Sequence, residues 1–293
     1  MGETLAGLLQ LLDLEEIDPN IFRGRNERAQ RERLFGGQVA AQALAAAGRT
    51  VQGRAAHSLH AYFLRPGDPR VPVLYTVDRI RDGQSFTTRN VIAIQRGQAI
   101  FNMSVSFQVQ EAGYEHQLLP MPAAPEPESL PTWAERAEAA KDLLPKDSFT
   151  WVRDDRPIDL RHVDAPTFLG GGPRSGGNLV WFRATGALPE NPFLHQCVVA
   201  YASDMSLLDT VVVPHGRNGP LGPVMMASLD HALWFHRPLR ADQWLLYAQD
   251  SPAAAGARGF ARGSIFTRDG QLVASVAQEG LMRPTGKPED RSL

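Results

Sequence analysis

Asp204, Ser228 and Gln278 each put a polar side chain into apolar sequence: "CVVAYASDMSLLDTVV", "MMASLDHALW" and "LVASVAQEGL". A carboxylate taken out of water without partners costs several kcal/mol, so Asp204 needs a reason to be where it is. Two reasons stand open: an N-cap for a helix beginning at Met205, a place Asp favours, or a chemical role. For Ser228 and Gln278 the sequence supplies its own control, because the chain repeats itself.

"AHSLHAYFLRPGDPRVPVLY" (56–75) returns as "MASLDHALWFHRPLRADQWLLY" (226–247). An offset of 172 puts "YFLRPG" (62–67) on "WFHRPL" (234–239) and Tyr75 on Tyr247. After one gap an offset of 173 puts Arg89 on Arg262, Ile92 on Ile265, and "RGQAIFNMSV" (96–105) on "DGQLVASVAQ" (269–278). So long a period means two copies of a whole domain rather than a solenoid. Ser228 then falls opposite Ala56 and Gln278 opposite Val105, so these polar groups mark the second copy alone.

Each copy reads as an apolar helix followed by strands. In the first, "GGQVAAQALAAAG" (36–48) is apolar all round, as an enclosed helix is. Strands follow at "HSLHAYFLR", "VLYTVDRIR", "FTTRNVIAIQR" and "AIFNMSVSFQV", separated by Gly-, Pro- and Asp-containing turns. In the second, strands "IDLRHVD" and "NLVWFRAT" precede one long helix, "LHQCVVAYASDMSLLDTVV". Strands resume at "VMMASLDHALWFHR", "WLLYAQDS", "RGFARGSIFTR" and "LVASVAQEGLMR". An amphipathic helix opens the chain in "MGETLAGLLQLLDLEEID". Five prolines within 120–131 predict an extended, solvated crossover, and "TWAERAEAAKDLLP" a short helix stopped by Pro145. The expected division is 1–112, first domain; 113–148, crossover with its helix; 149–288, second domain with the chemistry; and 289–293, a tail.

In order along the chain, "LFGGQVAAQAL", "HSLHAYFLRPGDP", "DGQSFTTRNV", "YASDMSLL", "SLDHALWFHRP", "ARGF" and "VASVAQEGLMR" resemble the acyl-CoA thioesterase II family, from about residue 4 to 283. The resemblance implies an α+β double hotdog, two tandem repeats each with a central helix wrapped by an antiparallel sheet. It implies hydrolysis of acyl-CoA to fatty acid and CoA, without a cofactor. It also assigns Asp204, Ser228 and Gln278 a shared task, holding a water that attacks the thioester. Many relatives carry Thr where this chain has Ser228; the hydroxyl is kept and a χ1-stiffening methyl is lost. The expected partners are the acyl-CoA substrate and further copies of the chain, as homodimer or homotetramer. Two rival readings are a non-catalytic acyl-CoA-binding hotdog and a 3-hydroxyacyl thioester dehydratase, the latter relying on an acid/His pair near the helix.

"FGGQ" (35–38) opens the first helix with two glycines. Peptide N–H groups at a helix N-terminus suit an oxyanion, which makes Gly36, Gly37 and Gln38 candidate substrate-binding residues; close helix packing is the equal alternative. His57 is a further candidate substrate-lining group. His57 with His60, and His231 with His236, stand at odd separations on strands and so point to opposite faces, which argues against a metal. "GGGPRSGG" (170–177) fits neither a dinucleotide loop, a P-loop nor a nucleophile elbow. Cys197, the one cysteine, excludes an intrachain disulfide and reads as a buried hydrophobe. With 30 Lys+Arg against 32 Asp+Glu and no basic run, no nucleic-acid partner is expected. The start lacks a basic n-region, no apolar run reaches membrane-span length, and "RSL" does not read as an address. A cytoplasmic protein with no membrane partner is the expectation.

Overall fold

The structure, a computed structural model, describes residues 4–26, 33–143, 156–216 and 224–285. The domain limits at 148 and 149, the stop at Pro145 and the tail 289–293 lie outside the described residues.

Helix α1 (Leu5–Leu12) is followed by β1 (Glu15–Asp18) and β2 (Ile21–Gly24), α2 (Gly36–Gly48), β3 (Ala55–Phe63), β4 (Val73–Asp82), β5 (Phe86–Gln95) and β6 (Gln98–Gln108). The crossover carries α3 (Trp133–Ala139). The second half runs β7 (Ile158–His162), β8 (Asn178–Ala184), α4 (Pro192–Ser203), β9 (Val224–Ser228), β10 (Asp230–Phe235), β11 (Leu245–Ala255), β12 (Arg258–Thr267) and β13 (Leu272–Pro284). All strands join one 13-stranded sheet, ordered β1-β2-β4-β5-β6-β3-β10-β13-β12-β11-β8-β7, with β9 beside β13. The halves meet where β3 pairs antiparallel with β10. The two long helices lie antiparallel inside the curve of the sheet. Asp204, the C-cap of α4, receives the Gly37 N–H from the start of α2, while Phe193 at the start of α4 lies over Gly48 at the end of α2. This is the double hotdog that the resemblance implied.

Strand register locates the repeat exactly where side chains are shared, and it moves the gap. Tyr75 pairs with Ala93 and Tyr247 with Ile265, both partners 172 residues on. Ile92 pairs with Asn102 and Ser264 with Ser275, offsets of 172 and 173. The extra residue therefore lies in the β12–β13 hairpin. Arg89 corresponds to Ala261 and Ile92 to Ser264, not to Arg262 and Ile265. The equivalences of the polar residues stand: Ala56 faces Phe107 as Ser228 faces Gly280, and Val105 corresponds to Gln278.

Four further expectations need correction. The opening helix ends at Leu12, and "EEIDPNIFRG" forms the β1–β2 hairpin, whose turn residue Asn20 takes φ 64°; Asp-Pro-Asn was the overlooked turn signal. The long second helix ends at Ser203, and a 3₁₀ turn over Leu208–Val211 follows. That turn packs onto the sheet because β12 and β13 offer Gly259 and Gly280, where a Cβ would come within 1.9 Å of Val211 and 2.0 Å of Leu208. The strand expected over 224–237 breaks at Leu229, whose N–H bonds the Glu279 carbonyl. The crossover is docked rather than solvated. Met121, Ala124 and Leu130 pack on Trp181, Trp244, Leu246 and Phe266, and Trp181 Nε1 donates to the Pro125 carbonyl at 2.9 Å.

Arg89 is 1% exposed and spends its N–H groups on the Thr50 hydroxyl and carbonyl, the Arg81 and Thr88 carbonyls, and Asp82 at 2.6 Å. It thereby ties the turn after α2 to β5, a job its counterpart Ala261 does not have. Replacing Arg89 by Leu orphans the buried Thr50 hydroxyl and carbonyl and releases the half-exposed Asp82, and should cost about 2 kcal/mol in urea unfolding; a loss below about 0.5 kcal/mol would contradict this role.

Candidate active site

Helix α4 starts conventionally, with Pro192 in its first turn and the Asn191 side chain accepting the Phe193 and Leu194 N–H groups at 3.1 and 3.3 Å. Its end is held from the sheet. Tyr247, fully buried on β11, donates its hydroxyl to the Ser203 carbonyl at 3.1 Å, satisfying one of the acceptors a helix end leaves open. The equivalent Tyr75 bonds Gln42 Oε1 at 2.7 Å inside a helix that continues. Just beyond, Gln249 donates to Ser206 Oγ at 2.6 Å and accepts from Thr210 at 2.9 Å, and Asn178 donates to Thr210. These bonds hold the turn that carries Asp204.

Asp204 is the C-cap of α4, with φ −89° and ψ −5°. The N-cap reading for a helix at Met205 is therefore wrong, since no α-helix starts there. The carboxylate instead meets the start of α2, which has no side-chain cap of its own. It accepts the Gly37 N–H and hydrogen bonds from the Ser228 hydroxyl and from Gln278 Nε2, the last at 2.7 Å. Gln278 Nε2 also donates to Ser228 Oγ at 2.9 Å. Approach this close requires the glycines: a Cβ on Gly36 would lie 2.7 Å from Asp204 Oδ2, and one on Gly37 2.4 Å from the Tyr201 carbonyl. Burial pushes the Asp204 carboxyl up to about 6, against the three hydrogen bonds that favour its ionised form.

The three side chains meet although they come from a helix end and two strands. Asp204, Ser228 and Gly36 border a cleft of about 500 Å³ walled by Phe35, Phe63, Phe101, Met226 and Leu229, with Arg33 and Arg65 also along it. Gln278 is fully buried behind them, and among the described residues its Oε1 has no hydrogen-bond partner. The cleft lies between the copies, so the first copy's Phe63 and Phe101 are part of it; no sequence signal singled them out.

Two candidates lie elsewhere. Gln38 turns toward the loop before α2, donating to Asn26 Oδ1 at 3.1 Å. His57 bonds Ser106 Oγ at 2.8 Å and packs on Phe86, away from the cleft. Gln38 follows the helical turn away from Gly36, and His57 sits at a register shift of β3, which alternation alone does not reveal. His231 is drawn instead to the neighbour of Asp204. Ser203 Oγ donates to the Ala200 carbonyl, so the 2.9 Å contact is His231 Nε2–H donating to Ser203 Oγ. Burial lowers this imidazole to about 4, so it stands neutral and fixes the residue before Asp204.

The corresponding place in the first copy is closed. A Cβ on Gly48 would lie 2.2 Å from the Phe193 ring, and Gln196 Nε2 donates to the Ala56 carbonyl at 2.7 Å.

Two family models match: "Acyl-CoA thioesterase" over residues 151–281 and "Acyl-CoA thioesterase N-terminal domain" over 25–108. Acyl-coenzyme A thioesterase 8 of Mus musculus is 41% identical, over 93% of this chain and 88% of that protein. Acyl-CoA thioesterase 2 of Haemophilus influenzae is 38% identical, over 97% and 99%. This chain belongs to the acyl-CoA thioesterase family. The crystal structure of an acyl-CoA thioesterase II, TesB2, from Mycobacterium marinum superposes with a TM-score of 0.77 at 43% identity, covering 96% of this chain and 98% of the other. Among the described residues of this thioesterase-family chain, no helix is long and apolar enough to cross a membrane, and no cluster of three or more His, Cys, Asp or Glu has a metal-binding arrangement.

The raised Asp204 carboxyl has a consequence for stability. It ionises near 3.8 when unfolded and near 6 when folded, so between these values the folded chain holds a proton that the unfolded chain has lost. Stability contributed by the neutral acid is full below 3.8 and is lost as pH rises through 6. Asp204→Asn does not titrate. Its unfolding free energy relative to wild type, read by urea unfolding at each pH, should climb across that window by on the order of 2 kcal/mol after discounting for the cleft-facing side. A pH-independent difference would contradict the buried-acid assignment.

Proposed function

We propose that this chain hydrolyses acyl-CoA thioesters by direct attack of water, with Asp204 as general base and Ser228 and Gln278 as the groups that fix base and water. The reading rests on one observation: a carboxylate and a hydroxyl at the floor of an apolar cleft bond one another and the carboxamide buried behind them. Three of the roughly four acceptor sites of Asp204 are taken, leaving about one for a water. Gln278, buried behind the cleft, donates from Nε2 to both Asp204 and Ser228 and so fixes the two groups that face the water. The water oxygen adds to the thioester carbon as its proton passes to Asp204. The tetrahedral adduct then expels the CoA sulfur, which takes the proton back, giving fatty acid and CoA. Phe63, Phe101 and Met226 suit the acyl chain, and Arg33 and Arg65 offer positive charge to the CoA phosphates.

No cofactor or metal enters the scheme. A binding protein has no use for a desolvated carboxylate at this point, and a dehydratase's acid/His pair has no counterpart, since His231 serves Ser203 rather than Asp204. We read 149–288 as the unit that carries the chemistry and 1–112 as the unit that supplies Gly36, Gly37 and the facing cleft wall. A cytoplasmic homodimer or homotetramer without nucleic-acid or membrane partner completes the proposal.

Asp204→Asn should fold and lose roughly 10²-fold or more in kcat, followed by release of free thiol. In the wild type, kcat/KM should rise about tenfold per pH unit below about 6 and level above it. Near-normal turnover of folded Asp204→Asn, or a profile flat through pH 6, would remove Asp204 as the base.

Ser228→Thr keeps the hydroxyl and should stay active, whereas Ser228→Ala should not. Intact-mass spectrometry during turnover should detect no acyl adduct, because Ser228 Oγ is held from both sides as a positioning group. An adduct on Ser228 would overturn direct water attack.

A further inference from the structure

Two more polar groups of the second copy stand where the first copy has apolar ones. The helix crossings fix which residues of α2 and α4 correspond. Gly37 meets Asp204 at one crossing and Gly48 meets Phe193 at the other, so Gly37 corresponds to Phe193 and Gly48 to Asp204, an offset of 156 in both cases. Ser203 then corresponds to Ala47. On the sheet, the offset of 172 puts His231 on Leu59. Leu59 pairs with Val105, the counterpart of Gln278. An apolar trio of Ala47, Leu59 and Val105 is thus answered by Ser203, His231 and Gln278, and all six are fully buried.

Folding alone does not account for this exchange. His231 gives its one N–H to Ser203 Oγ at 2.9 Å, and among the described residues its Nδ1 has no hydrogen-bond partner. An acceptor taken out of water without a replacement partner costs stability. In the first copy the same backbone plan packs with an alanine and a leucine at these two places.

What the pair holds is the last residue of α4. Ser203 Oγ donates to the Ala200 carbonyl at 3.1 Å while accepting from His231, and the Ser203 carbonyl accepts from Tyr247. Side chain and carbonyl of one residue are thereby tied to two strands, β10 and β11. Tyr247 has a counterpart in Tyr75; the bond from His231 has none in Leu59. The next residue is Asp204, whose carboxylate must meet the Gly37 N–H, Ser228 and Gln278 at once. A shift of about 1 Å in a group so constrained is enough to cost on the order of 10²-fold in rate.

We propose that Ser203 and His231 are positioning residues of thioester hydrolysis, which fix the end of α4 so that Asp204 meets its water in working geometry. They act through Asp204 alone, so the proposal rests on Asp204 as the base.

The double variant Ser203→Ala/His231→Leu installs the first copy's residues and leaves neither half of the bond behind. It is measured beside Asp204→Asn and the variant that combines all three changes. The double variant should unfold in urea at a midpoint equal to or above that of wild type. It should lose roughly 10- to 100-fold in kcat with KM within about twofold, since the cleft walls are unchanged. His231→Gln keeps an N–H donor at similar reach and should recover most of that loss. Adding the pair of changes to Asp204→Asn should slow it no further, because groups that act as one unit are not additive. A double variant that fails to fold or is less stable than wild type makes the pair structural and overturns the proposal. So does a loss that falls on KM, or one that multiplies with the loss in Asp204→Asn. A slow Asp204→Asn beside a fully active double variant overturns the positioning role alone, whereas near-normal turnover of Asp204→Asn removes the base and the proposal together.

Discussion

One carboxylate between two helix ends organises this molecule. Asp204 lies at the C-terminus of α4, where the helix field disfavours an anion, and against the N-terminus of α2, where N–H groups point at it and favour one. The second contact offsets the first only if the antiparallel helices approach within hydrogen-bond distance. Gly36 and Gly37 permit that approach. The glycines of α2, the early stop of α4 and the Tyr247 bond to Ser203 are therefore parts of one arrangement. The result is an acid whose affinity for protons is raised by burial yet whose ionised form is bonded on three sides, the balance a general base near neutral pH requires.

Duplication supplies the scaffold, and broken symmetry supplies the site. Pairing of β3 with β10 makes one sheet from two, so each copy buries apolar surface against the other. At one helix crossing the small residue is Gly37 and the facing residue is Asp204; at the other, Phe193 fills the space over Gly48. Gly280 lets the 3₁₀ turn descend onto β13, while its counterpart Phe107 fills that space in the first copy. A few exchanges of volume thus separate an open cleft from a packed core within one backbone plan.

The repeat, the order of elements and the singular character of Asp204, Ser228 and Gln278 were legible in the residues, because an alternating or helical burial pattern is local and a polar break in it stands out against its own copy. Family membership was legible too, from motifs spread along the chain. The stop of α4 was not. "YASDMSLLDTVV" is as apolar after Asp204 as before it, and the signal that ends the helix is Tyr247, far away in sequence. That Gln38 and His57 point away from the cleft was hidden for a related reason: adjacency to a motif or a place on a strand does not say which way a side chain points once a helix turns or a strand bulges.

By itself, the sequence determined two copies of one α+β unit, their family, and which copy holds the unusual polar groups, since these depend on residue type and spacing along the chain. Only the tertiary structure decided that Asp204 bonds Gly37 of the other copy, that Gln278 bridges acid and hydroxyl, that the crossover seals one sheet face, and that the second crossing is plugged by Phe193. These are contacts between segments far apart in the chain. Their geometry is set by how two helices and one curved sheet pack, and packing is a property of the whole assembly of side-chain volumes rather than of any stretch of sequence.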